Sequence, residues 1–312
     1  MTGHVLAVGE ALVDQVRRPD GSTADHPGGS IANVALTLGR LGRRVRLATW
    51  LGRDERGDLV RGWLAESDVR LVDGSDGAER TSVAAATLDE NGSATYDFDL
   101  TWQVPDAARP EDGGSGDDGP TLAVHTGSIA AMLEPGAGQV RGLLESARSS
   151  ATTTYDPNAR PAIMGDAAEV RPRVEELVAL SDVVKVSDED LEWLYPGTDP
   201  VEVARRWQAG TPALVVVTLG GKGAVAVSAG GEVEVQAPRV EVVDTVGAGD
   251  SFMGALIDGL WEHDLLGAAR RDALRSVDAA TVRTLLEGCV AVAAVTVSRA
   301  GANPPRREEI SA

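Results

Sequence analysis

Asp244-Thr245-Val246-Gly247-Ala248-Gly249-Asp250 sets two carboxylates around a pair of glycines. The run that follows, SFMGALIDGLW, is apolar and reads as a helix; the run before it, VEVQAPRVEVV, alternates like a strand. Gly247, Ala248 and Gly249 are therefore expected where a strand gives way to a helix. At such a junction several backbone N–H groups converge, and the helix dipole makes the spot favourable for an anion. Asp250 stands beside that spot as a candidate base. An anion hole next to a base is what phosphoryl transfer to an alcohol requires.

A second glycine pair opens another helix at Pro27-Gly28-Gly29-Ser30, with Asn33 one turn in. Gly28 and Gly29 let a ligand approach the backbone closely. Asn33 offers donors and an acceptor to hydroxyls, and Asp14 is placed to bind a vicinal pair of them. Other chemistries are excluded by spacing. The Gly221-Lys222 pair is followed by Gly223, so GxxxxGK[ST] is absent, and no GxGxxG follows the first strand, where VGEALVD stands instead. His4, His26, His125 and His263 are too scattered for a metal cluster; His26 alone lies near the glycine pair. Of 29 basic residues only Lys185 and Lys222 are lysines, and each is a candidate point-charge contact to phosphate.

The elements that must position these groups alternate. VLAVGEALVD (5–14) reads as a buried strand running into a second extended piece, 17–29 as turn-rich, 30–42 as a helix ended by Gly42, 44–52 as a strand and 54–67 as a helix. Between 69 and 102 the pattern changes: VRLV, RTSVAAATLD and SATYDFDL alternate like half-buried strands, with ENG as a turn, and are expected to form a small lid. Residues 105–120 read as an acidic surface loop. From 121 the strand–helix rhythm resumes, with AVAVSAGGEVEVQAP as a hairpin and TVRTLLEGCVAVAAVTVSRAG as a long closing helix. This rhythm predicts an α/β fold with a mostly parallel sheet covered by helices on both faces.

The chain of 312 residues is long enough for a large core, and its net charge of −19 argues against nucleic-acid binding. Cys289 is the only cysteine, so no disulfide framework and no cysteine metal site is expected. With no apolar segment after a basic start and no run of 18 apolar residues, a soluble, cytoplasmic protein without membrane partners is expected.

Taken together, PGGSIANVALTLGRLG and DTVGAGDSF resemble the paired signatures of the ribokinase (PfkB) family of carbohydrate kinases. VGEALVD, LGRDERG, HTGSIA, YDPNAR, VKVSDEDLEWL, VTLGGKGA and VTVSRAGANPP agree in order and spacing, and several are most like the fructokinase-like branch. The resemblance implies a ribokinase-like three-layer α/β sandwich with a small β-sheet lid. It implies one kinase domain over 1–312, with lid strands from about 10–26 and 69–102. Asp250 would be the catalytic base, and the N–H groups of Gly247, Ala248 and Gly249 the anion hole. Asp14, Gly28, Gly29 and Asn33 would bind sugar hydroxyls; Arg160, in the segment that resembles DPNxR, would reach a hydroxyl, carboxylate or phosphate. Thr218, Gly220 and Gly223 would meet ATP, with Lys185, Ser187 and Gly249 on the same side. Mg²⁺ would accompany the nucleotide, with Asp190 reaching it through water, and K⁺ would sit on carbonyls that include that of Asp244. A homodimer formed through the lid is implied as well.

Two departures stand out. Ser187-x-x-Asp190 replaces the family's Asn-x-x-Glu, and PGGSIANVA replaces PGGAPANVA, with Ile31 in place of a proline. The favoured acceptor is the primary hydroxyl of a ketohexose, fructose; 2-keto-3-deoxygluconate is the alternative, with ribose or a nucleoside behind it. A dead sugar sensor would have lost the base or the anion hole, and both are present.

Overall fold

The computed structural model describes residues 2–89, 94–110 and 119–310. The ENG turn and half of the acidic 105–120 segment, residues 111–118, lie outside the described residues.

Among the described residues, nine strands form the main sheet. Four come from the first half of the chain and its return: β1 (His4–Val8), β4 (Val45–Ala48), β5 (Val69–Leu71) and β8 (Thr121–Gly127). The rest are β9 (Thr152–Asp156), β10 (Val183–Ser187), β11 (Leu214–Thr218), β12 (Ala224–Ser228) and β13 (Gly231–Val235). Their spatial order is β13-β12-β11-β10-β9-β8-β1-β4-β5, parallel from β11 to β5 and antiparallel through β12 and β13. β1, β8 and β9 are buried along their whole length. Both faces of a parallel sheet are covered, so even the threonines of β9 are buried.

The covering helices segregate by face. α1 (Ser30–Arg40), α2 (Glu55–Ala65), α8 (Ala248–Glu262) and α10 (Ala279–Val297) pack with Val5, Ala7 and Leu47. α3 (Gly136–Ala147), α5 (Ala167–Ala179), α6 (Asp188–Leu194) and α7 (Pro200–Gln208) pack with Leu6, Val8 and Val124. Alternation along β1 thus feeds two cores, which is the period of two at work. The short helices α4 (Pro161–Met164), α9 (Arg271–Arg275) and α11 (Arg307–Ile310) complete the set. α10 is apolar and long enough to cross a membrane by length and composition, but it buries Val282, Leu285, Leu286 and Cys289 in the first core.

The lid is a separate four-stranded sheet, in order β3-β2-β6-β7. Its strands are β2 (Leu12–Arg17), β3 (Thr23–Gly28), β6 (Val83–Leu88) and β7 (Ala94–Asp99).

Three expectations change. Residues 23–28, read as turn, form a strand registered on β2. VRLV, assigned to the lid, supplies β5, which pairs with β4 at the edge of the main sheet. The VEVQAPRVEVV run is not one strand entering α8: β13 stops at Val235 and 236–247 is irregular. Pro238 removes a ladder donor there. Val243 and Asp244 instead donate their N–H groups to Val297 O, at 2.8 and 3.2 Å, which ties the segment to the end of α10.

Candidate active site

The chain reverses direction across the sheet at β1: β4 and β5 lie on one side of it, β8 to β13 on the other. In open α/β sheets the crevice outside the carboxyl ends at such a point is where ligands bind. Here that end opens into a cleft of about 1960 Å³ roofed by the lid, to which Leu12, Val16, Ala84 and Ala86 contribute.

Asp250 lies in the first turn of α8 and is 5% exposed. Three side chains donate to its carboxylate. Ser30 Oγ is 2.8 Å and Asn158 Nδ2 3.0 Å from Oδ1, and Asn33 Nδ2 is 2.8 Å from Oδ2. Asn158 also donates to Ser30 Oγ at 2.6 Å. Its backbone is left-handed, with φ of 37°, a conformation asparagine tolerates better than most residues. A carboxylate has about four lone-pair sites, so three donors fix its plane and leave room for one more.

Gly247, Ala248 and Gly249 cap α8 and line the same cleft. The Ala248 N–H is engaged by Thr245 O at 3.3 Å, a long bond that an anion can compete for. A Cβ on Gly249 would stand 2.9 Å from Lys185 Nζ, so only glycine lets that ammonium approach the start of α8.

Lys185 itself is 2% exposed and pairs with Asp156 at 2.9 Å. Burial pushes the Asp156 carboxyl up to about 6, with Lys185 opposing. The Lys185 ammonium is held above its ordinary value: burial works against the charge, but Asp156, Asp190 and Asp250 outweigh it. Its predicted phosphate contact thus begins from an internal ion pair. Asp156 Oδ1 has no hydrogen-bond partner among the described residues. Lys222, the other lysine, is exposed and does not line the cleft.

The remaining predicted residues are brought together. Asp14, Gly28, Gly29, Asn33 and Arg160 line the lid side; Lys185, Ser187, Thr218, Gly220 and Gly223 line the far side, with Asp190 and Asp244 among them. Asp14 projects into the cleft, and desolvation by the surrounding walls raises its carboxyl, with Arg160 and His26 pulling the other way. Arg160 Nη1 folds back onto its own loop, bonding Asn158 O, Asn158 Oδ1 and Ala159 O at 3.1, 2.7 and 2.9 Å.

Both oxygens of Asp190 accept backbone N–H groups, from Ala159 at 2.8 Å and Ser187 at 3.1 Å. The Ser187 hydroxyl returns the contact to Asp190 N at 3.0 Å, a reciprocal cap on α6. Among the described residues no group of three or more His, Cys, Asp or Glu is placed to hold a metal ion. Both Asp190 oxygens are engaged by backbone N–H groups at the wall of the cleft. Asp244 bonds Val246 N at 3.0 Å and Gly301 N at 2.8 Å, which lower its carboxyl and bring the loop around 301 against the glycine loop.

Sequence reasoning did not nominate Glu10, Ser30, Asn158 or Asp156. Asn158 and Asp156 stand in the quoted YDPNAR segment, and Ser30 in the quoted PGGSIANVA, so the signal was present but attached to their neighbours.

A sheet with a lid closing over such a cleft is the architecture of a class of sugar-phosphorylating enzymes. Residues 2–309 match the model of the pfkB family carbohydrate kinase, and the chain belongs to that family. It is a carbohydrate kinase. It is 33% identical over 270 residues to the fructokinase of Rhizobium leguminosarum bv. trifolii, covering 84% of this chain and 81% of the relative. Fructokinase from Xylella fastidiosa with bound ATP superposes with a TM-score of 0.82 at 25% identity, over 100% of this chain and 98% of the other. A fructokinase double mutant from Vibrio cholerae O395, in a form bound to fructose, ADP and potassium ion, gives 0.72 at 26% identity over 96% and 94%.

Proposed function

We propose that this carbohydrate kinase transfers the γ-phosphoryl group of ATP to the primary hydroxyl of fructose, with Asp250 as base. The observation that carries the reading is the Asp250 carboxylate, oriented by Ser30, Asn33 and Asn158 at the N-terminus of α8. The acceptor hydroxyl gives its proton to Asp250 as its oxygen attacks the γ-phosphorus, and the bond to the ADP oxygen breaks. The N–H groups at 247–249 would stabilise charge on the phosphoryl oxygens. Mg²⁺ would neutralise phosphate charge, reached by Asp190 through water. K⁺ on carbonyls including that of Asp244 fits the ion bound in the Vibrio fructokinase.

The likeness to fructokinases supports a ketohexose. ADP release measured over fructose, 2-keto-3-deoxygluconate, ribose and adenosine tests the assignment. Fructose should be turned over best. Preference for the acidic sugar would overturn fructose and leave the kinase reading standing.

A further inference from the structure

Glu10 lies two residues after β1, at the point where the sheet order reverses. It is 6% exposed. Its Oε1 accepts the Ser30 N–H at 3.2 Å, and its Oε2 accepts the Ala130 N–H at 3.3 Å. The first of these donors opens α1; the second lies in the turn Ser128–Ala131, which follows β8. One carboxylate thus ties the ends of the two adjoining central strands to the start of the helix that presents Ser30 and Asn33. The fit is close on the backbone side too. A Cβ on Gly29, whose φ is 108°, would fall 2.5 Å from Glu10 O, and Ala32 donates its N–H to that same oxygen at 3.4 Å.

We propose that Glu10 is a positioning residue for the acceptor side of the site. Its carboxylate clamps the start of α1 to the 128–131 turn and so holds Ser30 and Asn33 in their donating positions on Asp250. The inference rests on the reading of Asp250 as base.

The ionised carboxylate accepts strongly at both oxygens; a proton on either leaves that oxygen a weaker acceptor and loosens its bond to Ser30 or Ala130. Burial pushes the Glu10 carboxyl up to about 7. Its own backbone N–H, the Ser128 hydroxyl and Arg160 pull it down, while the Asp250 charge adds to the rise. The groups facing it are thus Ser128 from the turn after β8, Arg160 from the start of α4 and Asp250 from α8. The clamp is expected to loosen as the pH falls through 7.

Two measurements test this. In the first, kcat/KM for the sugar is followed against pH for the wild type and for Glu10→Gln, which keeps the shape but offers one acceptor and does not titrate. The wild type should lose activity on the acid side with a midpoint near 7. The variant should be lower by roughly tenfold at pH 8, flat from 6.5 to 8, and within about twofold of wild type in its KM for ATP. A variant that keeps the wild-type acid limb overturns the proposal. In the second, amide hydrogen exchange at Ser30 and Ala130 is measured in the wild type and corrected for intrinsic rates. Protection should fall between pH 8 and 6, and protection unchanged across that window overturns the proposal. This readout needs no variant and no turnover, so it stands apart from failure of the base assignment, which Asp250→Asn reports.

Discussion

Asn158 Nδ2 donates to Asp250 Oδ1 across 3.0 Å, joining the loop after β9 to the first turn of α8. The same amide reaches Ser30 Oγ, so three elements far apart in the chain meet on one carboxylate oxygen. Asn158→Ala removes a donor from Asp250 and leaves Ser30 as the sole partner of Oδ1. Turnover should drop by roughly 10- to 100-fold, since small misplacements of a reacting group are costly, while KM for ATP stays within about threefold. Steady-state kinetics with both substrates varied checks this. A variant that loses ATP affinity but keeps kcat would place Asn158 on the nucleotide side instead.

Asp250→Asn keeps the shape at the floor of the cleft but abolishes the base and turns one of its two acceptor oxygens into a donor. Its kcat should fall by about 10²–10⁴, the usual worth of a positioned proton acceptor. Nucleotide binding, measured by calorimetry, should be nearly unaffected. Turnover within tenfold of wild type would remove Asp250 from the role of base.

How much of this was legible in the sequence depends on distance along the chain. The glycine loop, the Gly28-Gly29 pair and Asp14 carry their chemistry in contiguous residues, and all line one cleft. The donors to Asp250 are different: Ser30 and Asn33 lie 220 and 217 positions away, Asn158 92. Nothing local marks Ser30 as a partner of Asp250, because its hydroxyl would serve equally well facing solvent at a helix start. Glu10 reads as a polar break after a strand until the fold delivers Ala130 to it, 120 residues on. The misplaced β5 has the same cause. VRLV alternates like the lid strands, and only its pairing with β4, not its composition, assigns it to the main sheet. In the run before α8, alternating valines suggested a strand, but Val242 and Val243 are each 60% exposed there and no ladder pairs them.

The buried pair of Lys185 and Asp156 predicts an asymmetry in stability. Asp156→Asn strands an ammonium that is 97% buried in its side chain, and breaking such a pair costs about 3 kcal/mol or more. Lys185→Met strands a carboxyl instead, but one already raised to about 6, which takes up a proton. At pH 6 the lysine variant should therefore melt several degrees above the aspartate variant. As the pH rises to 8 the lysine variant should lose ground, because the unfolded chain releases that proton and the folded one must hold it. Thermal melts at the two pH values settle it; equal melting temperatures at both would remove the pair as a stability element.

Glu10 makes a prediction about global stability that is separate from the clamp: protonation weakens the bonds to Ser30 and Ala130 but removes the cost of a buried charge, which is the larger effect on folding. Its carboxyl is raised in the folded protein from 4.5 to about 7. A raised carboxyl contributes stability that is fully present below its unfolded value and is lost as pH climbs through the folded one. Between about pH 4.5 and 7 the wild type should lose up to about 3 kcal/mol from this group. Other carboxylates run the opposite way, Asp54 and Asp244 among them, because hydrogen bonds lower them in the fold. The informative quantity is therefore the difference between Glu10→Gln and wild type, in which those groups cancel. That difference should move in the variant's favour by a few degrees of melting temperature as pH is raised from 5 to 8. If it stays constant, Glu10 is not titrating in that range, and the acid limb expected in kcat/KM would have to come from another group, with Asp156, raised by burial to about 6, the nearest candidate.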